Sequence, residues 1–215
     1  MACTPPHFAE TAWAHACIQQ ACASAQEDLA AFLEKDPAAR HSSVAILIGY
    51  TSYKAVLHYR LAHALIVMSE QDPAARDELA LHALVVASRG KLLSGAEIHP
   101  RCQIGRRFVL DHGWGTVIGE TTHIGDDCYV MAGVTLGATG IAANPAAKRH
   151  PTLGDRVQIG AFASVFGNIQ IGDDVFVGAH CLITEDVPSN TSVTLRTTTQ
   201  ISRVRTGTCP LSVTE

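Results

Sequence analysis

The sequence predicts an α+β protein in which a helical N-terminal domain is followed by a parallel β-helix of hexapeptide repeats. Leu153, Ile159, Val165, Ile171, Val177 and Ile183 recur at an unbroken interval of six residues, and glycine directly follows four of them (Gly154, Gly160, Gly172 and Gly178). An amphipathic helix asks for apolar recurrence near 3.6 and a half-buried strand near 2, so a sustained period of six marks a repeat architecture. Ala, Leu, Glu and Gln dominate the early chain, whereas Val, Ile, Gly and Thr rise from Gly95 onward. The expected division is 1–94 helical domain, 95–190 β-helix with an extruded loop near 137–152, and 191–215 C-terminal tail.

Three helical segments are expected between about 8 and 88. The first ends at the Asp36-Pro37 break. The second carries Val44, Leu47, Ile48, Leu57, Leu61 and Leu65 at roughly helical spacing, with Ser42 or Ser43 as its cap. The third runs from near Pro73 through Leu79, Leu81, Leu84, Val85 and Val86 and stops around Gly90. Together they form an antiparallel cluster.

Three runs make up the repeat region: Ile98, Ile104 and Leu110; then Ile118, Ile124, Val130 and Leu136; then the series from Leu153 to Ile183. A second small apolar set sits two residues ahead of the third run, at Val157, Ala163, Ile169, Val175 and Cys181. One side chain per face then points into a narrow prism, glycine accommodates the bend that follows, and three faces make a coil. An antiparallel barrel is the competing arrangement, but its strands would alternate at two and vary in length.

A formal charge of −4 and a pI near 6.2 give no basic footprint for nucleic acid. The seven cysteines are scattered and never in CxxC spacing, so they read as reduced thiols rather than metal ligands. His99, His123 and His180 share no HxH or HxxxxH spacing, and no metal site is expected. With no cationic start followed by an apolar run, and no stretch of about 20 apolar residues, neither export nor a membrane span is indicated, and the cytoplasm is the expected location.

The lattice slips twice. Leu110 to Ile118 is eight residues and Leu136 to Leu153 is seventeen, and each slip holds histidine. The first contains Asp111-His112-Gly113-Trp114-Gly115, and the second is a long excursion ending Lys148-Arg149-His150-Pro151. A regular prism offers only flat faces, so irregular segments must supply any concavity that surrounds a substrate. His112 is the candidate general base, with Asp111, Glu97 and Glu120 the nearest carboxylates in sequence. Position alone equally allows His112 to satisfy a turn. Arg149-His150 suits a carboxylate, although a lone loop arginine is commonly just solvated.

Taken together, GAEIHPRCQIGRRFVLDHGWGTVIGET, VTLGATG and KRHPTLGDRVQIGAFASVFGNIQIGDDVFVGAHCLITEDVP resemble the serine O-acetyltransferase family, from about Asp36 to Pro188. The resemblance implies a left-handed β-helix, assembled as trimers, that moves an acetyl group from acetyl-CoA to the hydroxyl of L-serine. It makes His112 the base and places Glu97 where the family has an orienting Asp. It assigns Asp36 and Asp111 to the substrate ammonium and Arg149 with His150, as a cationic pair, to its carboxylate. The CoA groove between neighbouring β-helices would be lined by Ala138, Thr139, Gly160, Ala161, Gly178 and Ala179. CoA is then a cosubstrate, and no permanently bound cofactor is implied.

This sequence also departs from the family. Glu97 is a methylene longer than Asp, the loop before Arg149 is extended, and the segment SVTLRTTTQISRV replaces a small-residue stretch that completes the CoA site. These departures leave open another hydroxy amino acid, another acyl-CoA, or a catalytically impaired ligand-binding scaffold. The short stretch before Asp36 points to a homotrimer that stands alone. The ending Ser212-Val213-Thr214-Glu215 lacks the family's terminal isoleucine, so a stable complex with O-acetylserine sulfhydrylase is not expected.

Overall fold

The computed structural model describes residues 12–142 and 146–196. Four helices come first: α1 (Ala12–Lys35), α2 (Ser43–Gly49), α3 (Thr51–Gln71) and α4 (Arg76–Ser94), with a 3-10 turn at Pro37–Ala39. Asp36 caps that turn, its Oδ1 accepting from the Ala38 N–H at 2.8 Å with proline in the first position. Ser42 caps α2 by accepting from the Ala45 N–H at 3.2 Å.

The second helical segment differs from its sequence reading. It divides at Tyr50, an extended residue (φ −88°, ψ 104°) that follows Gly49, the last residue of α2. The face of α3 that enters the core carries Ala55, Val56, Tyr59, Ala62 and Ile66, while Val44, Leu47 and Ile48 of α2 and Leu81, Leu84 and Val85 of α4 point outward. Alanine on the inner face lets α3 and α4 approach closely. For the same reason α4 does not stop at Gly90: a Cβ there would lie 2.9 Å from His58 Cβ, so this glycine marks a helix contact rather than an end. The helix ends instead at Gly95, in the left-handed region at φ 73°.

Fourteen short strands follow among the described residues. The first coil is β1 (Glu97–Ile98), β2 (Gln103–Ile104) and β3 (Val109–Leu110); the second is β4 (Val117–Ile118), β5 (His123–Ile124) and β6 (Tyr129–Val130). The third is β7 (Thr135–Gly137), β8 (Thr152–Leu153) and β9 (Gln158–Ile159); the fourth is β10 (Ser164–Phe166), β11 (Gln170–Ile171) and β12 (Phe176–Val177). A partial fifth holds β13 (Leu182–Ile183) and β14 (Ser192–Val193), the latter within the stretch read as tail.

Each strand pairs in parallel with its counterpart in the next coil, giving three faces with orders β1-β4-β7-β10-β13, β2-β5-β8-β11 and β3-β6-β9-β12-β14. Here they are faces 1, 2 and 3. The register converts the two slips into geometry. Ile118 pairs with Leu136 and Val165 with Ile183, 18 residues apart, but Ile98 pairs with Ile118 across 20 and Leu136 with Val165 across 29. The surplus residues are extruded at corners and the lattice resumes unchanged. The last coil is two residues short: Ile171 bridges to Val187 and Val177 pairs with Val193 across 16.

All thirteen residues of the sixfold series are buried along the prism axis, and the set two residues earlier is buried throughout, including Cys102, Phe108, Thr116, Thr122, Cys128 and Val134. The corner between faces 2 and 3 explains the Gly-Asp pairs. Oδ1 of Asp126, Asp155 and Asp173 each accepts a backbone N–H from the previous coil, from Arg106, Asp126 and Asp155 at 2.7–2.8 Å. Those carboxylates occupy the space over Gly105, Gly125 and Gly154, where a Cβ would lie 2.2–2.4 Å from them.

A buried ion pair fastens the helices to the first coil. Arg60 donates through Nε and Nη2 to Asp28 at 2.8 and 3.0 Å, and to the carbonyls of Ile104 and Gly105 at 2.6 Å. Asp28 also accepts from the Phe108 N–H at 2.9 Å, so every strong polar group at this junction is matched.

Candidate active site

The first slip forms the corner between faces 3 and 1. Its six residues, 111–116, replace the four of the coils above, and the extra length is folded into a tight turn in which the Gly113 N–H bonds the Asp111 carbonyl and the Trp114 N–H bonds that of His112. His112 has φ 58°, a region that side chains with a Cβ rarely occupy, and its ring is 75% exposed. The nearest charged group is Asp111, with Oδ1 3.9 Å from His112 Nε2. Trp114 folds back over Gly95, where a Cβ would lie 2.6 Å from the indole.

Asp36 and Asp111, 75 positions apart in sequence, stand close enough here to act on the same two tyrosines. The Asp36 carboxylate beside Tyr50, with lesser contributions from burial and the charge of Asp111, raises that phenol above its usual range. Burial, the contact with Asp111 and the charges of Asp111 and Asp36 raise Tyr129 in the same way. Both tyrosines pack against the small core formed by Phe32, Tyr53 and Val109. Nothing in the sequence pattern singled them out, because each sits at an ordinary outward or helix-breaking position.

Glu97 lies on the outer surface of β1 and ion-pairs with Lys91 of α4. Among the described residues no hydrogen bond or ion pair joins it to His112.

The second slip leaves from the corner between faces 1 and 2 and returns to it. Its closing residues are stapled to the turn Gly119-Glu120-Thr121. Arg149 Nη2 meets Glu120 Oε2 at 2.5 Å, Lys148 Nζ donates to the Thr121 carbonyl at 2.5 Å, and Thr121 Oγ1 accepts from the backbone N–H groups of Arg149 and His150 at 3.0 and 3.1 Å. The His150 ring lies flat on Gly119, where a Cβ would be 2.1 Å away. The spaced motifs GET and RHP are therefore two halves of one contact. Arg149 holds the Glu120 carboxyl below its usual range. Burial, then the charges of Arg149 and Lys148, hold His150 below its own, which favours the neutral ring beside the Arg149 cation.

The remaining candidates divide between the same two corners. Gly160, Ala161, Gly178 and Ala179 continue the His112 corner upward, with Ala179 N only 2.6 Å from where a Gly160 Cβ would stand. Phe162 and His180 close these turns at φ 61° and 62°, with rings stacked 5.3 Å apart. Ala138 and Thr139 begin the excursion at the Arg149 corner. Thus His112, Asp111 and Asp36 stand on one corner, and Arg149 and His150 on the next. The backbone from Thr116 to Gly119 alone spans about 10 Å at ~3.3 Å per residue, and no hydrogen bond or ion pair joins the two groups among the described residues. No group of three or more His, Cys, Asp or Glu among those residues could hold a metal ion.

Residues 150–185 match the family model "Bacterial transferase hexapeptide (six repeats)". The serine acetyltransferase of Helicobacter pylori is 44% identical over 160 residues, covering 74% of this chain and 86% of that protein. The chain belongs to the serine acetyltransferase family. Solved serine acetyltransferases share the fold: isoform 3 of Entamoeba histolytica, in complex with cysteine, superposes with a TM-score of 0.78 at 34% identity, over 89% of this chain and 64% of the other. The soybean serine acetyltransferase, complexed with serine, does so at 0.71 and 36%, over 81% and 66%. The chain therefore spans just under two thirds of each of these two family members. The C-terminal residues bearing on sulfhydrylase binding lie outside the described residues.

Proposed function

We propose that this chain is a cytoplasmic serine O-acetyltransferase whose active site is completed between two copies of itself in a homotrimer, with the coil wound left-handed as in the family. The observation that carries this reading is the division of the site. An α-amino acid needs an anionic pocket for its ammonium and a cation for its carboxylate within a few ångströms of each other. One chain holds these on neighbouring corners of a rigid prism, and a corner of a second copy brings them together. The outward Leu81, Leu84, Val85 and Leu92 of α4 also favour assembly.

In this reading Asp36 and Asp111 bind the ammonium and Arg149 with His150 the carboxylate. Acetyl-CoA lies along Gly160, Ala161, Gly178 and Ala179 of one copy, facing Ala138 and Thr139 of the next. His112 takes the proton from the serine hydroxyl as its oxygen attacks the thioester carbonyl. The tetrahedral intermediate collapses with loss of the CoA thiolate, which recovers the proton from His112, and O-acetylserine leaves. A positioned general base contributes about 10²–10⁴-fold. In the assembled site Glu97 orients His112.

The Glu97 pairing with Lys91 favours a second reading, a ligand-binding homologue in which His112 lacks its partner. Thiol release from acetyl-CoA with serine, homoserine and threonine separates the two. Turnover with serine, lost by about 10²-fold or more in His112→Ala, is expected; a parent that binds serine without releasing thiol establishes the second reading instead.

A further inference from the structure

The contact between Thr121 and His150 fixes more than a loop. His150 Nδ1 lies 3.1 Å from the Thr121 backbone nitrogen, whose hydrogen points at it, and 2.9 Å from Thr121 Oγ1. An amide nitrogen can only donate, so Nδ1 must accept, and the ring's hydrogen belongs on Nε2. The hydroxyl is committed to the same direction: its oxygen already accepts from the N–H groups of Arg149 and His150, leaving its own hydrogen for Nδ1. On the far side Nε2 has no hydrogen-bond partner among the described residues. The residue is only 8% exposed, and a half-turn of the ring would set Cδ2–H in place of Nδ1 against the Thr121 N–H and hydroxyl.

We propose that Thr121 is a positioning residue that locks His150 in the Nε2–H tautomer, making this N–H a fixed hydrogen-bond donor to the carboxylate of the amino-acid substrate. The proposal rests on the carboxylate site being used as described above. It assigns different tasks to adjacent residues: Arg149 supplies charge, and His150 supplies a directed dipole that neither carries a proton away nor competes as a base with His112. Glu120 and His99 are the other titratable groups facing the ring, with Lys148 and Arg149 on its own segment.

Two measurements test it without requiring turnover. In protein labelled with ¹⁵N-histidine, and assigned by comparison with His150→Gln, the parent should show His150 as a single Nε2–H tautomer at neutral pH; an Nδ1–H ring overturns the proposal. Calorimetric titration with serine should show binding weakened about tenfold in His150→Phe, whose ring has no N–H, and about threefold in Thr121→Val, where the backbone N–H at 121 still points at Nδ1 but the hydroxyl's hydrogen is lost. In the His150→Phe background the added Thr121→Val change should cost less than it does in the parent. An equal loss in both backgrounds means that Thr121 only folds the loop, and overturns the proposal. A parent that binds serine with this pattern yet releases no thiol leaves the inference standing and removes the acetyltransferase reading.

Discussion

Asp28 and Arg60 meet with Nε and Oδ2 2.8 Å apart at a point where both side chains are almost wholly buried, 0% and 7% exposed. Burial works against the charge on Arg60, and the hydrogen bonds and charge of Asp28 outweigh it, holding the guanidinium above its usual value. Removing one partner strands the other, so Asp28→Asn should destabilise the chain by about 3 kcal/mol or more in urea unfolding. The double change Asp28→Leu with Arg60→Met should not restore stability, because the Phe108 N–H and the Ile104 and Gly105 carbonyls lose their partners as well. Recovery to near the parent would show that the ion pair, and not its backbone contacts, fastens the helices.

Two glycines should respond in opposite directions to the same substitution. Gly154→Ala drives a Cβ to 2.2 Å from Asp173 Oδ1 and should cost about 1–3 kcal/mol. Gly49, the last residue of α2, has nothing within 4 Å of its Cβ position and no left-handed backbone, so Gly49→Ala should stabilise by about 0.5 kcal/mol. Thermal melts of the two variants beside the parent decide the point.

Acid should loosen the Arg149 loop. Glu120 is held ionised below the ordinary carboxylate range by Arg149. Its contribution is therefore present above the unfolded carboxyl's pKa, roughly 4.3, and lost as pH falls through the lower folded value. The melting temperature of Glu120→Gln should lie slightly below that of the parent at pH 6–7, with the gap closing towards pH 3. A gap independent of pH would place the effect in packing.

The prism thiols should be inert. Burial pushes Cys102 and Cys128 up to about 12, away from the thiolate that alkylating reagents need. Iodoacetamide at pH 8 should modify the exposed Cys22 in the native protein and reach Cys102 and Cys128 only after denaturation. Mass spectrometry of tryptic peptides reads the result directly.

The prism core was legible because one residue in six must be aliphatic for the faces to close, and the slips were legible because the count restarts after them. Val187 escaped for the same reason: the last coil is short, so its inward residue falls off the sixfold frame. The helices were less legible. Alanine on the inner face of α3 hides the core side, and α4 carries its larger apolar residues outward. Within the site, Asp111, His112, Arg149 and His150 stood out because they occupy the slips. Tyr50, Tyr129 and Thr121 did not, since their importance comes from partners 14 to 29 residues away that only the folded coil brings close.

The Asp-over-Gly contacts also govern how such a chain can change its length. Each turn is keyed to its counterpart in the next coil, 18 residues on wherever nothing is extruded, so adding a full circuit lengthens the column and leaves every corner where it was. Adding a single hexapeptide would send all later residues one face onward, carrying Arg149 to the corner now held by the Gly-Asp pairs. Surplus residues are tolerated only where they can bulge, as at 111–116 and around 138–142 and 146–151, and in this protein both bulges carry the side chains proposed to do chemistry.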